Sequence, residues 1–341
     1  MKPDSLFRRV LMGAFYAVVL VCFVHYLRGV DWTELQSLPV EPIFLILALP
    51  ISMGTRFLLS AVWMSLIRQY GEDIPHYSQL NYVYAKSWLG RYIPGNVAWV
   101  ASKVFFAGQH GIRKGVLGVT AVIEVGVQLL SALALAFLLL GVSGRFSHVN
   151  LDIRVLAGVA FFGILLMLIP PIFNRCISAA MRLIRRTELS HTYHLGNRAF
   201  FQFFGQYCAI HLLGCLPYYL LVRSVWPVMG LDELAFLSGV HLLAGALGVL
   251  VVFAPGGLGV REGVQVILLA PVLPDEIVLV VIVLARVWAM SLDLLFFLIS
   301  LAMVSRKSDL GQQQGQPILR VGRRESHLVP RDGPRHHQSV G

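Results

Sequence analysis

The sequence predicts an all-α, polytopic integral membrane protein with about eight transmembrane helices. Hydrophobic residues make up 57% of the 341 residues and charged residues only 13%, about half of the charged fraction that covers a soluble domain. The apolar residues form blocks of about 18 residues or more, which are long enough to cross a bilayer as helices. Because the blocks are continuous and lipid offers the backbone no hydrogen bonds, helices are favoured over a barrel.

Each predicted span is an apolar block with little charge. In chain order the spans are Val10–Leu27, Ile43–Ile67, Val116–Val142, Val155–Phe173, Phe200–Val222, Leu234–Phe253, Val264–Leu273 and Glu276–Val304. The first follows Lys2, Arg8 and Arg9, as a signal peptide would, but its length and the missing small-x-small cleavage site favour an uncleaved helix. The seventh is short, and we expect it to cross as a short or broken helix.

Lysine and arginine residues mark three segments as cytoplasmic: those before the first span, after the fourth and after the last. This distribution follows the positive-inside rule and places both termini in the cytoplasm, with the chain in a cell inner membrane. Termini on one side require an even number of crossings, so the seventh block is counted. We expect a transmembrane domain over residues 1–305 and a disordered, basic cytoplasmic tail over residues 306–341.

The net charge of +10 does not indicate a nucleic-acid partner, because its cations lie mainly at helix ends and in the tail, where they meet anionic lipid head groups. The four cysteines form no CxxC pair, and His191 and His194 lack a nearby acidic or cysteine partner. We therefore expect no metal and no cofactor. No nucleophile elbow, Walker loop or HExxH motif occurs, so we expect that the protein is not an enzyme.

Charged residues within or near the apolar segments are the candidate site, because a charge at the bilayer centre costs at least ~2.5–3.5 kcal/mol and usually faces a cavity or a partner. The candidate substrate-binding residues are Arg56, Arg91, Lys103, Glu124, Arg261, Glu262 and Arg286. Two alternatives stay open: Arg56 could reach to the interface, and Glu124 and Arg286 could pair with each other. Asp293 could be a polar group that only packs helices.

Two Pro-Gly segments interrupt the chain in similar settings. One contains Pro94 and Gly95, and the other contains Pro255, Gly256, Gly257 and Gly259. In each, an aromatic residue and one spacer precede Pro-Gly, and a cation follows several residues later. Helix breaks at membrane depth free backbone groups that protein or water must satisfy, and paired breaks in two halves of a chain are typical of a transporter site between repeats. We expect two re-entrant or broken segments and an internal repeat; simple loop turns are the alternative.

These residues carry a resemblance. Pro94-Gly95 with Lys103 and Glu124 downstream, and the stretch PGGLGVRE from Pro255 with Arg286 downstream, resemble the flippase-like transmembrane family, the membrane region of lysylphosphatidylglycerol synthase/flippase. The resemblance covers roughly residues 5–305 and implies about eight helices, two re-entrant elements and lipid translocation between leaflets. No aminoacyl-transferase domain follows the last span in this sequence, so we expect lipid aminoacylation to be absent.

The leading hypothesis is a lipid transporter that moves an anionic phospholipid or a polyprenyl-phosphate-linked lipid across an inner membrane. The arginines and Lys103 would neutralise a phosphate, and Glu124 and Glu262 would hold these cations when the site is empty. One alternative is a membrane-embedded lipid transferase. Another is a non-transporting subunit of a glycolipid or hopanoid pathway, with lipid-modifying enzymes as partners.

Overall fold

The computed structural model describes residues 40–74, 76–92, 98–145, 151–185, 194–251 and 254–313, and these residues form ten α-helices. The helices are α1 Pro42–Gln69, α2 Tyr77–Leu89, α3 Ala98–Gly108, α4 Lys114–Val142, α5 Leu151–Met167, α6 Pro170–Arg185, α7 Asn197–Val225, α8 Leu234–Leu250, α9 Val260–Leu269 and α10 Asp275–Gln313. The predicted first span, Pro94, Gly95 and residues 314–341 lie outside the described residues.

Five of these helices are long and apolar enough to cross a membrane: α1, α4, α7, α8 with the short 3-10 turn before it, and α10. Exposed apolar side chains recur at every third or fourth position along α10, at Val283, Val287, Met290, Leu294 and Leu298. Lipid contact explains such a stripe, which soluble proteins avoid. The protein is therefore a multi-pass, all-helical membrane protein, as the composition predicted, although the described residues do not confirm the count of about eight spans.

The predicted fourth span is not one straight helix. Helix α5 ends at Met167, α6 begins at Pro170, and the two axes differ by 94°. Pro170 and Pro171 explain the break, because proline suits the first turn of a helix but cannot continue one. Helix α6 is amphipathic: Phe173, Ile177 and Met181 are buried on one face, whereas polar and basic residues occupy the other, as in helices that lie along a membrane surface.

Helices α1 and α7 form a closely packed antiparallel pair. The Glu41 N–H, just before α1, donates a 2.7 Å hydrogen bond to the Ser224 carbonyl at the end of α7. Further along, Thr55 lies opposite Gly214. The small residues along this contact let the two backbones approach closely, which is a common way for membrane helices to associate.

A helical hairpin follows each member of this pair. Helices α2 and α3 pack antiparallel, with the Lys86 ammonium 4.0 Å from the centre of the Phe106 ring. Helices α8 and α9 pack in the same way, with Gly248 against Arg261 near the turn. Because each hairpin starts shortly after the end of its helix, and α1 and α7 run in opposite directions, the hairpins open at opposite ends of the bundle.

The two hairpin tips meet inside the bundle. A Cβ placed on Gly256, in the second tip, would lie 3.5 Å from the Tyr92 ring in the first tip. The long helix after each hairpin packs on the opposite hairpin, α4 against α8 and α10 against α2. The two halves of the chain therefore contain the same order of elements and the same exchange of contacts.

Two predicted boundaries differ from the structure. The seventh predicted block, Val264–Leu273, corresponds to α9, which begins at Val260, has 10 residues, is about 15 Å long and packs along α8. That length is about half the hydrocarbon thickness, so α9 cannot cross alone. At the other end, α10 continues to Gln313, so its last eight residues, 306–313, lie within the predicted tail.

Candidate functional site

A cavity of about 620 Å³ lies beside the two hairpin tips. Its apolar wall includes Leu129, Leu242 and Ile282 from α4, α8 and α10. The charged residues that line it are Arg56, Arg91, Arg261, Glu262 and Arg286. Five of the seven predicted substrate-binding residues therefore meet in one cavity, although they lie far apart in the sequence.

Glycine residues make the space that holds Arg261. A Cβ on Gly248 would lie 2.6 Å from the Arg261 Cγ, and one on Gly257 would lie 2.9 Å from the same atom. The guanidinium end passes Gly245, where a Cβ would lie 3.0 Å from Nη2. The Arg261 side chain thus runs in a slot between α8 and the second tip, and any larger residue at these glycines would displace it.

Glu262 and Arg286 hold the second tip in place. The Glu262 carboxylate accepts a 2.6 Å hydrogen bond from the Gly259 N–H and so caps the start of α9. Arg286 donates a 3.0 Å hydrogen bond from Nη1 to the Gly256 carbonyl and lies 3.5 Å from Glu262. Both Gly256 and Gly259 have positive φ angles, of 58° and 85°, which explains why glycine occupies them.

Asp293 is the acceptor that joins the first tip to α10. Its carboxylate lies 2.9 Å from Arg56 and 3.4 Å from Arg91, and it accepts hydrogen bonds from Tyr92 Oη at 2.6 Å and Trp88 Nε1 at 3.1 Å. Its side chain is fully buried. Arg56 therefore does not extend to the interface as one alternative supposed, because a buried carboxylate holds it inside the bundle.

The alternative in which Asp293 only packs helices does not fit the structure, because its carboxylate pairs with two of the cavity arginines. Sequence reasoning noticed the residue as an intramembrane charge but left it out of the candidate site. A cationic partner was the available signal, because a buried carboxylate needs one. The sequence does not give that partner, because Arg56 and Arg91 are more than two hundred positions before Asp293.

Lys103 and Glu124 form a sealed ion pair behind the cavity wall. The Nζ–Oε2 distance is 2.6 Å, and the exposed fractions of the two side chains are 1% and 0%. Tyr84 and Gln128 also donate hydrogen bonds to Glu124, at 3.0 and 3.2 Å. The rings of Trp63, Tyr84 and Trp99 surround the ammonium at 4.2–5.1 Å, a favourable arrangement for a cation.

The sealed pair corrects two expectations. Glu124 does not pair with Arg286, because each finds a nearer partner in its own half, Lys103 and Glu262 respectively. Neither Lys103 nor Glu124 lines the cavity, because the two charged groups form an ion pair with each other. The structure therefore places them in the wall that supports the cavity, apart from the residues that face it.

Several uncharged residues also line the cavity and were missed. His211, His241, Tyr218, Gln128 and Gln265 contribute polar groups; the His211 ring donates to the Gln128 carbonyl at 3.1 Å, and His241 stacks on Tyr218. A neutral polar residue in an apolar helix carries no strong sequence signal, so these residues could be identified only from the structure.

The predicted structural turns are only partly visible. Pro255–Gly257 forms a short 3-10 turn, as expected of a helix break, whereas Pro94 and Gly95 fall outside the described residues. Among the described residues no three His, Cys, Asp or Glu side chains come together as metal ligands would.

The cavity combines four guanidinium groups with an apolar wall. Guanidinium groups bind phosphate or carboxylate through paired, charge-assisted hydrogen bonds. No curated protein matches the chain. The family described as the lysylphosphatidylglycerol synthase TM region matches residues 10–296, which is most of the 341-residue chain. The chain, with its membrane-embedded arginine cavity, therefore belongs to the lysylphosphatidylglycerol synthase TM region family.

Proposed function

We propose that this protein moves a lipid with an anionic head group between the two leaflets of a prokaryotic inner membrane. The observation that supports this is the convergence of four guanidinium groups, from Arg56, Arg91, Arg261 and Arg286, on one cavity among membrane helices. A head-group phosphate that crosses the bilayer needs such partners, because an unpaired charge is costly there. The apolar wall offers a surface for the lipid chains, as either an anionic phospholipid or a polyprenyl-phosphate-linked lipid requires.

On this proposal the hairpins α2–α3 and α8–α9 are the two re-entrant elements of an inverted internal repeat. The antiparallel pairing of α1 and α7 supports it, because equivalent helices of inverted repeats run in opposite directions. Six crossings then remain, because α8, although long enough to cross, turns back through α9; they are the predicted span Val10–Leu27, α1, α4, α5, α7 and α10. This arrangement keeps both termini in the cytoplasm and puts α6, with exposed Arg175 and Arg182, on the cytoplasmic surface.

The repeat suggests how the lipid path changes sides. Each half has one ion pair between the helix after its tip and the next long helix: Lys103–Glu124 in the first and Glu262–Arg286 in the second. The first pair is sealed, and the second is exposed to the cavity. Repeats of this kind alternate by exchanging conformations, so we expect a second state in which the first pair opens and the second closes.

Spin labels test this exchange. Cysteines at Arg68, in the last turn of α1, and at Gln109, just after α3, place labels at two exposed sites beside the opening of the first hairpin. Adding lipid substrate to the reconstituted protein should produce a second, longer distance between the labels. A single distance under all lipid conditions would contradict alternation.

Transport itself is measured with fluorescent phosphatidylglycerol in proteoliposomes, where a membrane-impermeant reductant bleaches only the outer leaflet. The wild-type protein should make nearly all of the label accessible within minutes. Arg286→Ala should abolish this transfer, whereas Arg68→Ala, an arginine exposed at the end of α1, is the matched control and should retain it. Unchanged transfer by a folded Arg286→Ala variant would refute the proposed function.

The remaining alternatives make different predictions in the same preparation. A non-transporting subunit would leave the labelled lipid in its leaflet and would co-purify with a lipid-modifying enzyme. A membrane-embedded transferase would convert a labelled lipid chemically when the purified protein is incubated with it. We propose transport without chemical conversion, with lipid-modifying enzymes acting before or after this step.

A further inference from the structure

The charges of the cavity are unbalanced within the described residues. Four arginines line it, and two carboxylates partner them: Glu262 in the wall and Asp293 behind Arg56 and Arg91. Four positive charges against two negative ones leave a net charge of +2. The histidines that line the cavity count as neutral here, and their protonation would only increase this positive charge.

Arg261 is the clearest source of this excess positive charge. Among the described residues no hydrogen bond or ion pair reaches its guanidinium, although the glycine slot fixes its side chain. Arg91, Arg286 and Arg56 repel the guanidinium, whereas Glu262 attracts it but is already paired with Arg286. An arginine held close to three others in a low-dielectric region is stable only if an anion compensates it.

The Arg261 guanidinium also has unused hydrogen-bond donors. It lines the cavity, and none of the described residues accepts a hydrogen bond from it. Its N–H groups are therefore suited to a ligand group with several acceptor oxygens.

We infer that the substrate carries a dianionic head group, a phosphate monoester or a diphosphate attached to a lipid. A phosphate monoester has a charge of about −1.5 to −2 at pH 7 and three acceptor oxygens, so it matches both the net charge of +2 and the unused donors. A phosphodiester such as phosphatidylglycerol has one negative charge and leaves one arginine uncompensated. This inference rests on the proposed function, because it names the substrate class of the same cavity.

Binding to the purified full-length protein in detergent tests the inference. Trp88, Trp99 and Trp288 line the cavity, so intrinsic tryptophan fluorescence reports its occupation. The probes are dioctanoyl phosphatidate, a monoester, and dioctanoyl phosphatidylglycerol, a diester, at equal mole fractions in the micelle. At pH 7.5 we expect phosphatidate to bind about tenfold more tightly, which is the factor that one charge-assisted hydrogen bond supplies.

The pH dependence of binding shows whether the preference for phosphatidate comes from its second negative charge or from the shape of its head group. The second ionisation of a phosphate monoester has a pKa of about 6, so lowering the pH to 5.5 should bring the two affinities close to each other. Phosphatidylglycerol keeps its single charge over this range and serves as the reference for any titration of His211 or His241. A preference for phosphatidate that persists undiminished at pH 5.5 would overturn the inference.

Two substitutions change the cavity charge in opposite directions. Arg261→Gln lowers the net charge to +1 and should weaken phosphatidate binding more than phosphatidylglycerol binding, so that the preference for phosphatidate falls several-fold. Glu262→Gln raises the charge to +3, keeps an oxygen for the Gly259 N–H, and should increase the preference. A structural defect would not produce shifts of opposite sign, so equal preference in all three proteins would refute the inference.

Further comparisons distinguish a lipid from a soluble phosphate compound as the ligand, and the substrate inference from the proposed function. Glycerol 3-phosphate has the same head group without chains, and binding as tight as that of phosphatidate would overturn a lipid ligand. If phosphatidate and phosphatidylglycerol bind equally well and both are transported, the inference fails and the proposed function stands. If phosphatidate is preferred but no lipid moves between leaflets, the proposed function fails and the substrate class stands.

Discussion

Replacing Gly248 by alanine tests the slot that holds Arg261. The added Cβ would lie 2.6 Å from Arg261 Cγ, 3.1 Å from Cδ and 3.2 Å from the Gly257 Cα. Normal carbon–carbon contacts are about 3.5–4.0 Å, so three atoms on the opposite wall have to move. Two belong to the arginine and one to the backbone of the second tip.

The magnitude follows from this geometry. Overpacking of this kind costs about 1–3 kcal/mol, and we expect a value near the middle of that range for Gly248→Ala. Gly257→Ala should cost more, because its Cβ would lie 2.8 Å from the Gly248 Cα and its φ angle is +73°, which adds about 1–2 kcal/mol for a residue with a Cβ.

The assay is unfolding of the purified protein in mixed micelles, with lipid transfer measured on the same preparation. Gly263→Ala is the matched control: it lies on α9, two residues after Arg261, and its Cβ would have no neighbour within 4 Å. Because alanine is a better helix former than glycine, this control should be neutral or stabilising by about 0.5–1 kcal/mol. Gly248→Ala should lose transfer while Gly263→Ala retains it.

A double-mutant cycle decides whether the arginine is the group displaced. Arg261→Ala removes Cγ and Cδ, so Gly248→Ala should cost clearly less in that background, with an interaction of about 1 kcal/mol or more. Equal costs in both backgrounds, or a Gly248→Ala variant with wild-type stability and transfer, would refute the account of the slot.

Three further predictions concern other parts of the fold. Glu124→Gln should destabilise the protein by about 3–5 kcal/mol in the same unfolding assay, because it leaves the Lys103 ammonium buried without a carboxylate; adding Lys103→Met should restore most of the loss, and a double variant as unstable as the single one would contradict this. Tyr92→Phe removes a hydrogen bond to the Asp293 carboxylate and should cost about 1.5–3 kcal/mol; a change below about 0.5 kcal/mol would show that the bond is not formed in solution. Burial lowers the pKa of His110, in the turn after α3, so the unfolded chain binds a proton more readily and stability should fall as pH drops below about 6.5; His110→Gln should flatten this dependence, and an identical pH profile for the variant would refute it.

The transmembrane character was predictable because it depends on composition. Long apolar blocks became α1, α4 and α7 with ends within a few residues of those predicted, and α10 with its predicted start, since the length of a block and its flanking charges set the limits of a helix. The fourth block broke at Pro170 despite its continuous apolar character, because a proline pair ends a helix whatever its surroundings. The prolines were visible in the sequence, but the direction in which the chain turned was not.

The sequence identified most of the charged residues of the candidate site, but it did not predict which of them pair with each other. Arginines and carboxylates in apolar segments stand out because a bilayer excludes unpaired charges. Which partner each one takes depends on how the helices cross, and so Glu124 with Arg286 was a reasonable but wrong pairing. For the same reason the sequence did not show the role of Asp293, whose arginine partners lie in the other half of the chain.

The sequence by itself determined that this is a membrane protein, and it predicted that a Pro-Gly segment breaks the chain in each half and that several charges there must find protein or ligand partners. Those properties follow from local chemistry: hydrophobicity, helix breaking and the cost of a bare charge in lipid. Only the tertiary structure decided which charged groups pair with each other and which have no partner among the described residues. It sealed Lys103 against Glu124, left Arg261 in a glycine slot without a partner, and gave the cavity a net positive charge, because pairing depends on distances that packing sets and sequence spacing does not record.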